Sequence, residues 1–320
     1  MAAALEDTGV TYEELQDLEA EFEDVEAELL RQQVKLNKPL YEKRSKLISR
    51  IPNFWPLVIE QAPPEIDEYI QPSDAALLLS SLTSLSVSHF EIENGGTGDP
   101  RSIAIRWEFS ENDYFEDKVI EKKFWYRRAK DGWSGLVSEP VDIRWKKGKD
   151  LTNGLLGMVK RVWDEEQAAK GKDGKSEEVT EEQKALQKKI ENTGISGLSF
   201  FAWFGYVGRR VSAEDSRLSI EQEAKKRELR AEDKTTEEAD EEEDDGSQDE
   251  FEYEIFPDGN DLAVAISEDL WPDAITYFIH AQEQDTLSDD EFESDDEEAP
   301  ELIEAGARTL EERPAKKRRT

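Results

Sequence analysis

Residues 11–51 read TYEELQDLEAEFEDVEAELLRQQVKLNKPLYEKRSKLISRI, and this stretch decides the fold. Thr11 and Glu14 stand at the spacing of a capping box, so a helix is expected to start there. Leu15, Leu18, Phe22, Val25 and Leu29 follow at alternating spacings of three and four, the repeat of a coiled-coil seam. Leu36 extends the seam, and Leu40, Leu47 and Ile51 carry it on after one slip in phase. The slip falls beside Pro39, which removes a donor and predicts a kink. Roughly 40 helical residues would run about 60 Å. A small domain cannot bury a seam of that length, and a second copy of the chain is the simplest cover. The alternative packs the helix across its own domain.

After Pro52 the pattern changes. Residues 72–86 contain a Leu-rich run that predicts a buried helix, and Val87–Ile92 predicts a short strand before the loop at 94–100. Ile103, Ile105, Trp107 and Phe109 alternate with polar residues, Lys118–Tyr126 is rich in aromatic and β-branched side chains, and Val141, Ile143 and Trp145 alternate again. Four strands on short turns predict an antiparallel sheet with one covered face. Further helices are expected at 155–163, 181–190 and 262–279, the last broken near Trp271-Pro272. Residues 171–175 read as mobile. Residues 212–249 read as a solvated helix that frays. The fold class is therefore α+β. Residues 1–10 form a disordered start, 11–51 the long dimerisation helix, and 52–281 the α+β domain. That domain carries charged insertions at about 153–198 and 206–256. Residues 282–320 are an acidic disordered tail.

The net charge of −36 is concentrated. Residues 232–254 hold 14 acids and one Lys, and residues 283–304 hold 12 acids and no base, so these two runs supply most of it. Such a field repels nucleic acid and anionic membranes and attracts basic proteins. No cysteine is present, which removes disulfides and thiol chemistry. The longest apolar runs are too short to span a bilayer, and the first residues lack the pattern of a signal peptide. Lys316, Lys317, Arg318 and Arg319 follow Pro314 and read as a nuclear import signal. Ser288 and Ser294 each head a Ser-Asp-Asp-Glu run and are candidate phosphorylation sites.

Catalytic constellations are missing. His89 and His280 are the only histidines, neither at metal-ligand spacing, and there is no phosphate-binding glycine loop or nucleophile elbow. The expectation is no enzyme, no metal and no cofactor.

Five segments then fall in order: Lys43–Ile48 leading into Ile51-Pro52-Asn53-Phe54-Trp55, Asn112–Val119 with Lys122-Lys123-Phe124, Ile143–Thr152, Ser199–Phe204, and Glu268–Ala274 followed by Tyr277-Phe278. Together they resemble the nucleosome-assembly-protein family, and within it the SET, or template-activating factor I, branch. The resemblance implies a homodimer with paired antiparallel long helices, Leu15, Leu18, Phe22, Val25, Leu29 and Leu36 forming the contact. Each helix would carry an "earmuff" domain. It also implies a nuclear histone chaperone for H3–H4 or H2A–H2B that assembles or disassembles nucleosomes without ATP. By position, histone binding falls to Asp258, Asn260, Asp261, Glu268 and Asp269, with Asn260 where relatives often have an acid. Trp271 reads as core. A second reading keeps the fold and makes the chain a regulatory partner of a histone acetyltransferase, or a phosphatase inhibitor.

Overall fold

A computed structural model describes residues 10–170, 179–193, 197–231 and 253–293. The chain divides into two units, Met1–Ala281 and Gln282–Thr320. In the first, helix α1 spans Tyr12–Ile48 and opens on the expected capping box: Thr11 Oγ1 accepts from Glu14 N, and Glu14 returns the bond to Thr11 N. The helix continues through Pro39. Short helices α2 (Phe54–Glu60), α3 (Pro64–Asp67) and α4 (Pro72–Ser81) follow.

Strands β1 (Leu82–Ser88), β2 (Ile103–Phe109), β3 (Val119–Arg128) and β4 (Ser134–Ser138) form an antiparallel meander in the order β1-β2-β3-β4. Two of these differ from expectation. The first strand begins at Leu82, not Val87. Ser80 and Ser81 turn their hydroxyls back onto the carbonyls of Ala76 and Leu77, both at 2.7 Å, where α4 ends. Leu82, Leu85 and Val87 then face the core, with an irregularity between Leu82 and Ser84 masking the alternation. The fourth strand is Ser134–Ser138, not Val141–Trp145. That second stretch leaves the sheet: Val141 N donates to Phe204 O at 2.8 Å, and Trp145 keeps only an isolated bridge to Phe115.

Helices α5 (Leu155–Lys170) and α6 (Glu181–Thr193) pair, a 3₁₀ turn covers Phe200–Gly205, and α7 spans Ala213–Ala231. Within the segment 153–198, Leu155, Leu156, Val159, Val162 and Leu186 belong to the core. Nor is 206–256 wholly peripheral, because α7 docks on β3. Ser216 Oγ accepts from Arg128 N at 2.9 Å and Ser219 Oγ donates to Ala129 O at 2.9 Å. The expectation for 171–175 lies outside the described residues, as do those for 1–9 and for most of the acidic run at 232–254. Helix α8 (Gly259–Val264) runs into a π turn at Ala265–Leu270, and after a break at Trp271–Asp273 helix α9 spans Ala274–Glu293.

The core is aromatic. Phe200, Phe201, Trp203 and Phe204 are all buried beneath the sheet, Phe200 lying 5.3 Å from Trp107 and Trp203 5.4 Å from Phe124. Two ties fix this segment. Buried Asp74 in α4 accepts from Ser199 Oγ at 2.6 Å and Phe200 N at 2.7 Å, and Trp203 Nε1 donates to Gly259 O at 2.9 Å. The second tie sets where α8 starts, and so positions the acids that follow.

Candidate functional site

Helix α1 has two faces with different fates. One lies along the chain's own domain. Arg44 donates to the carbonyls of Trp271 and Pro272 at 2.6 and 3.0 Å, and Tyr41 packs on Trp271 with ring centroids 4.0 Å apart. Further along, Arg31 reaches Gly98 O at 3.1 Å, Arg128 pairs with Glu23, and Arg227 and Arg230 of α7 pair with Asp24 and Asp17 at 3.5 and 3.3 Å. The other face is the seam. Leu15, Leu18, Phe22, Val25, Leu29 and Leu36 are between 45% and 71% exposed. Own-domain packing therefore accounts for one side of the helix and leaves the apolar stripe uncovered.

The acidic candidates lie on α8 and the π turn. The π turn closes with Trp271 N donating to Ile266 O at 3.0 Å, and its wider turn shifts the side chains after it relative to α8. Asp258 and Asp261 are exposed near Tyr69 of the α3 loop, whose hydroxyl is pushed up to about 12 by burial and by the charge of Asp258. Asp269 accepts from the Tyr277 hydroxyl at 2.7 Å, and Tyr277 is likewise pushed up to about 12, by burial and then by that bond. Glu68 acts on Tyr69 and Glu65 on Tyr277, so the α3 acids join the α8 acids in one negative strip. Sequence reasoning passed over Glu65, Glu68 and Asp273. The signal for the first two was the PPEIDEY run at 63–69, whose fold-back onto α8 no local pattern reveals.

One of the five candidates, Asn260, also serves as a tie. Asn260 Oδ1 accepts from Leu136 N at 3.3 Å, and its Nδ2 donates to Asp261 at 2.9 Å, so it ties α8 to β4 and orients its neighbour. Glu268 turns toward a groove of about 1770 Å³ between α1, β1 and α8. That groove also takes in His89, whose Nδ1–H donates to Pro100 O at 2.6 Å; burial lowers the pKa of His89, with Glu268 and Glu93 opposing. Trp271 is 8% exposed and belongs to the core. Ser288 falls within α9; Ser294 and Lys316–Arg319 lie outside the described residues. Among the described residues no group of three metal-ligating side chains forms, and no helix is long and apolar enough to cross a membrane.

Two buried ionisable groups lie away from this strip. Lys122 is fully buried, its ammonium donating to the carbonyls of Glu139, Phe204 and Tyr206 at 3.0, 3.1 and 2.8 Å. Burial lowers its pKa to about 7. Glu254, also buried, accepts from Val207 N, Gly208 N and Phe256 N, and burial raises its pKa. The three acceptors of the Lys122 ammonium are backbone carbonyls, so it reads as a structural lock.

Comparison with known proteins places the geometry in context. A family profile described as "Nucleosome assembly protein (NAP)" matches residues 49–281. A putative nucleosome assembly protein of Schizosaccharomyces pombe is 38% identical over 151 residues, covering 44% of this chain and 59% of that one. Protein SET of Drosophila melanogaster is 37% identical over 126 residues, covering 38% and 43%. The match thus spans less than two thirds of either relative. Among solved structures, Ccp1 aligns with a TM-score of 0.50 at 27% identity over 85% of this chain and 95% of that one.

Proposed function

This chain belongs to the nucleosome assembly protein family, and on that premise we propose that it is a homodimeric histone chaperone, acting in the nucleus on chromatin. The observation that carries the reading is the acidic strip of Asp258, Asp261 and Asp269 backed by α3. Rigid helices hold these carboxylates, two of them in hydrogen bonds to Asn260 and Tyr277. Fixed acceptors lose less entropy when a basic partner binds and give direction to what would otherwise be diffuse attraction. Exposed ion pairs are worth roughly 0–1 kcal/mol each, so many together hold a histone and release it stepwise to DNA. No nucleotide or catalytic step enters this account.

The uncovered seam of α1 supports the dimer: an apolar stripe of that length invites a partner, and a second copy presents the same stripe. Partnership with a histone acetyltransferase is the second reading; no feature of the described surface favours it over the first.

The experiment is a titration of H2A–H2B and of H3–H4 onto the full chain at moderate salt, with duplex DNA as competitor. Submicromolar binding of at least one pair, reversed by DNA in excess, is the expected outcome. Failure to bind either pair at micromolar concentrations would remove the reading.

A further inference from the structure

Residues 209–212 read Arg-Arg-Val-Ser, and Ser212 is the one Ser or Thr of the chain with Arg at both the third and the second position before it. The motif lies in the connection 206–212, which forms neither helix nor strand and leads from the buried aromatic segment into α7. Ser212 is exposed there. Its hydroxyl donates to Asp215 Oδ2 at 2.6 Å and accepts from Asp215 N at 3.0 Å, both at the surface, so modifying it disrupts no buried contact. Ser216 and Ser219, which hold α7 to β3, are buried by contrast. The two arginines meet carboxylates of other segments. Arg209 reaches Asp131 in the β3–β4 turn at 2.7 Å and lies 5.4 Å from the centre of the Trp133 ring. Arg210 pairs with Glu166 of α5, its Nη2 donating to Glu166 Oε1 at 3.3 Å, and lies over Trp163. Glu166 also accepts from Gln183 of α6 at 3.1 Å.

We propose that Ser212 is the acceptor of a serine kinase that selects paired arginines, and that the ion pairs to Asp131 and Glu166 gate its use. Such a kinase reads the two guanidinium groups with carboxylates of its own, the chemistry by which Asp131 and Glu166 hold them in the fold. In the transfer, Ser212 Oγ attacks the γ-phosphorus of ATP, gives up its proton and releases ADP. The arginines must first leave their carboxylates. Both pairs are partly exposed, and ion pairs of that kind are weak enough to open readily. The phosphate, once added, brings roughly −1.5 to −2 charges to a position two residues from Arg210. It competes with Glu166 for that guanidinium and repels the Asp215 carboxylate, which gives up its bond to the hydroxyl. Phosphorylation therefore favours the open arrangement that admitted the kinase, and it loosens the hold of α5 on the start of α7.

The test incubates the full chain with labelled ATP and the catalytic subunit of cyclic-AMP-dependent protein kinase, an enzyme of this preference, and maps the label by mass spectrometry. Nearly stoichiometric phosphate on Ser212 is expected. Ser212→Ala should remove almost all of it, and Arg209→Gln with Arg210→Gln should slow incorporation about tenfold or more. Glu166→Gln and Asp131→Asn, each with the circular dichroism of the wild type, should raise the initial rate by about threefold without moving the site. Label on Thr320, which follows Lys317-Arg318-Arg319, or on any other residue in place of Ser212, would overturn the assignment. So would a free peptide of residues 205–218 that is phosphorylated while the folded chain is not, because the fold would then seal the motif. Label on Ser212 at an unchanged rate in both carboxylate variants would overturn the gating.

Discussion

Lys122→Met should lower the stability of the domain by about 1–3 kcal/mol, the range for leaving a buried polar group without its partner. Lys122 sits in β3 with no exposed surface, and its three hydrogens go to three carbonyls on two other segments. Methionine fills much of the volume but donates nothing. The carbonyls of Glu139, Phe204 and Tyr206 lose a donor, and buried Glu254 loses the opposing charge of Lys122. A buried group left unsatisfied costs its desolvation penalty, although Phe204 O keeps the bond from Val141 N. Urea unfolding followed by tryptophan fluorescence would report the change as a lower midpoint at unchanged slope. A loss below about 1 kcal/mol would mean that the three bonds do not lock the sheet to the aromatic segment.

If the chain is the proposed homodimer, Leu18→Glu with Val25→Glu should give a folded monomer. In the single chain these side chains are 50% and 57% exposed, so the protomer has no reason to unfold. In the dimer they lie in the seam, within the all-acidic half of α1, and each copy contributes two carboxylates. An unpaired buried charge costs several kcal/mol, so a dissociation constant raised on the order of 1000-fold, about 4 kcal/mol, is expected. Sedimentation should show the monomer, while circular dichroism retains the wild-type helix content. A wild-type dimer in this variant would show that the apolar stripe of α1 is covered by something else.

The parts of this fold that were legible in the sequence are those governed by local, periodic rules. The capping box at Thr11 and Glu14 and the seam from Leu15 to Leu36 are sidedness patterns that a helix reproduces faithfully. The break at Trp271-Pro272 is a local effect of proline. The strand ends were less legible. Ser134-Gly135-Leu136-Val137-Ser138 is short and half polar, and its pairing with β3 is a tertiary choice. Val141–Trp145 has the better alternation but is drawn off to Phe204 and Phe115. Likewise, nothing near Lys122 in sequence announces its three carbonyls, which come from residues 17 to 84 positions away.

The candidate site divides in the same way. The acids after Asp258 are evident from sequence, and their order along α8 follows from helical spacing. That Asn260 serves as a tie to Leu136, that Glu268 turns into the groove, and that Glu65 and Glu68 extend the strip all depend on contacts between distant segments. A π turn in the middle adds a further shift that ideal helical spacing does not anticipate.

The central claim is that carboxylates held in fixed geometry, more than acid in bulk, bind histones. The measurement is a pair of binding titrations at one ionic strength. One variant carries Asp261→Lys and Asp269→Lys; the other carries Asp295→Lys and Asp296→Lys, the same change in charge placed in the acidic run near the end of the chain. Tyr277→Phe, which removes only the bond to Asp269, controls for local packing, and circular dichroism and sedimentation confirm fold and dimer for all three. The account predicts that the first variant loses about tenfold or more in affinity for at least one histone pair, roughly 1.4 kcal/mol, while the second and the control change by less than about threefold. A larger loss in the second variant than in the first would contradict it, and would make histone binding a property of diffuse charge.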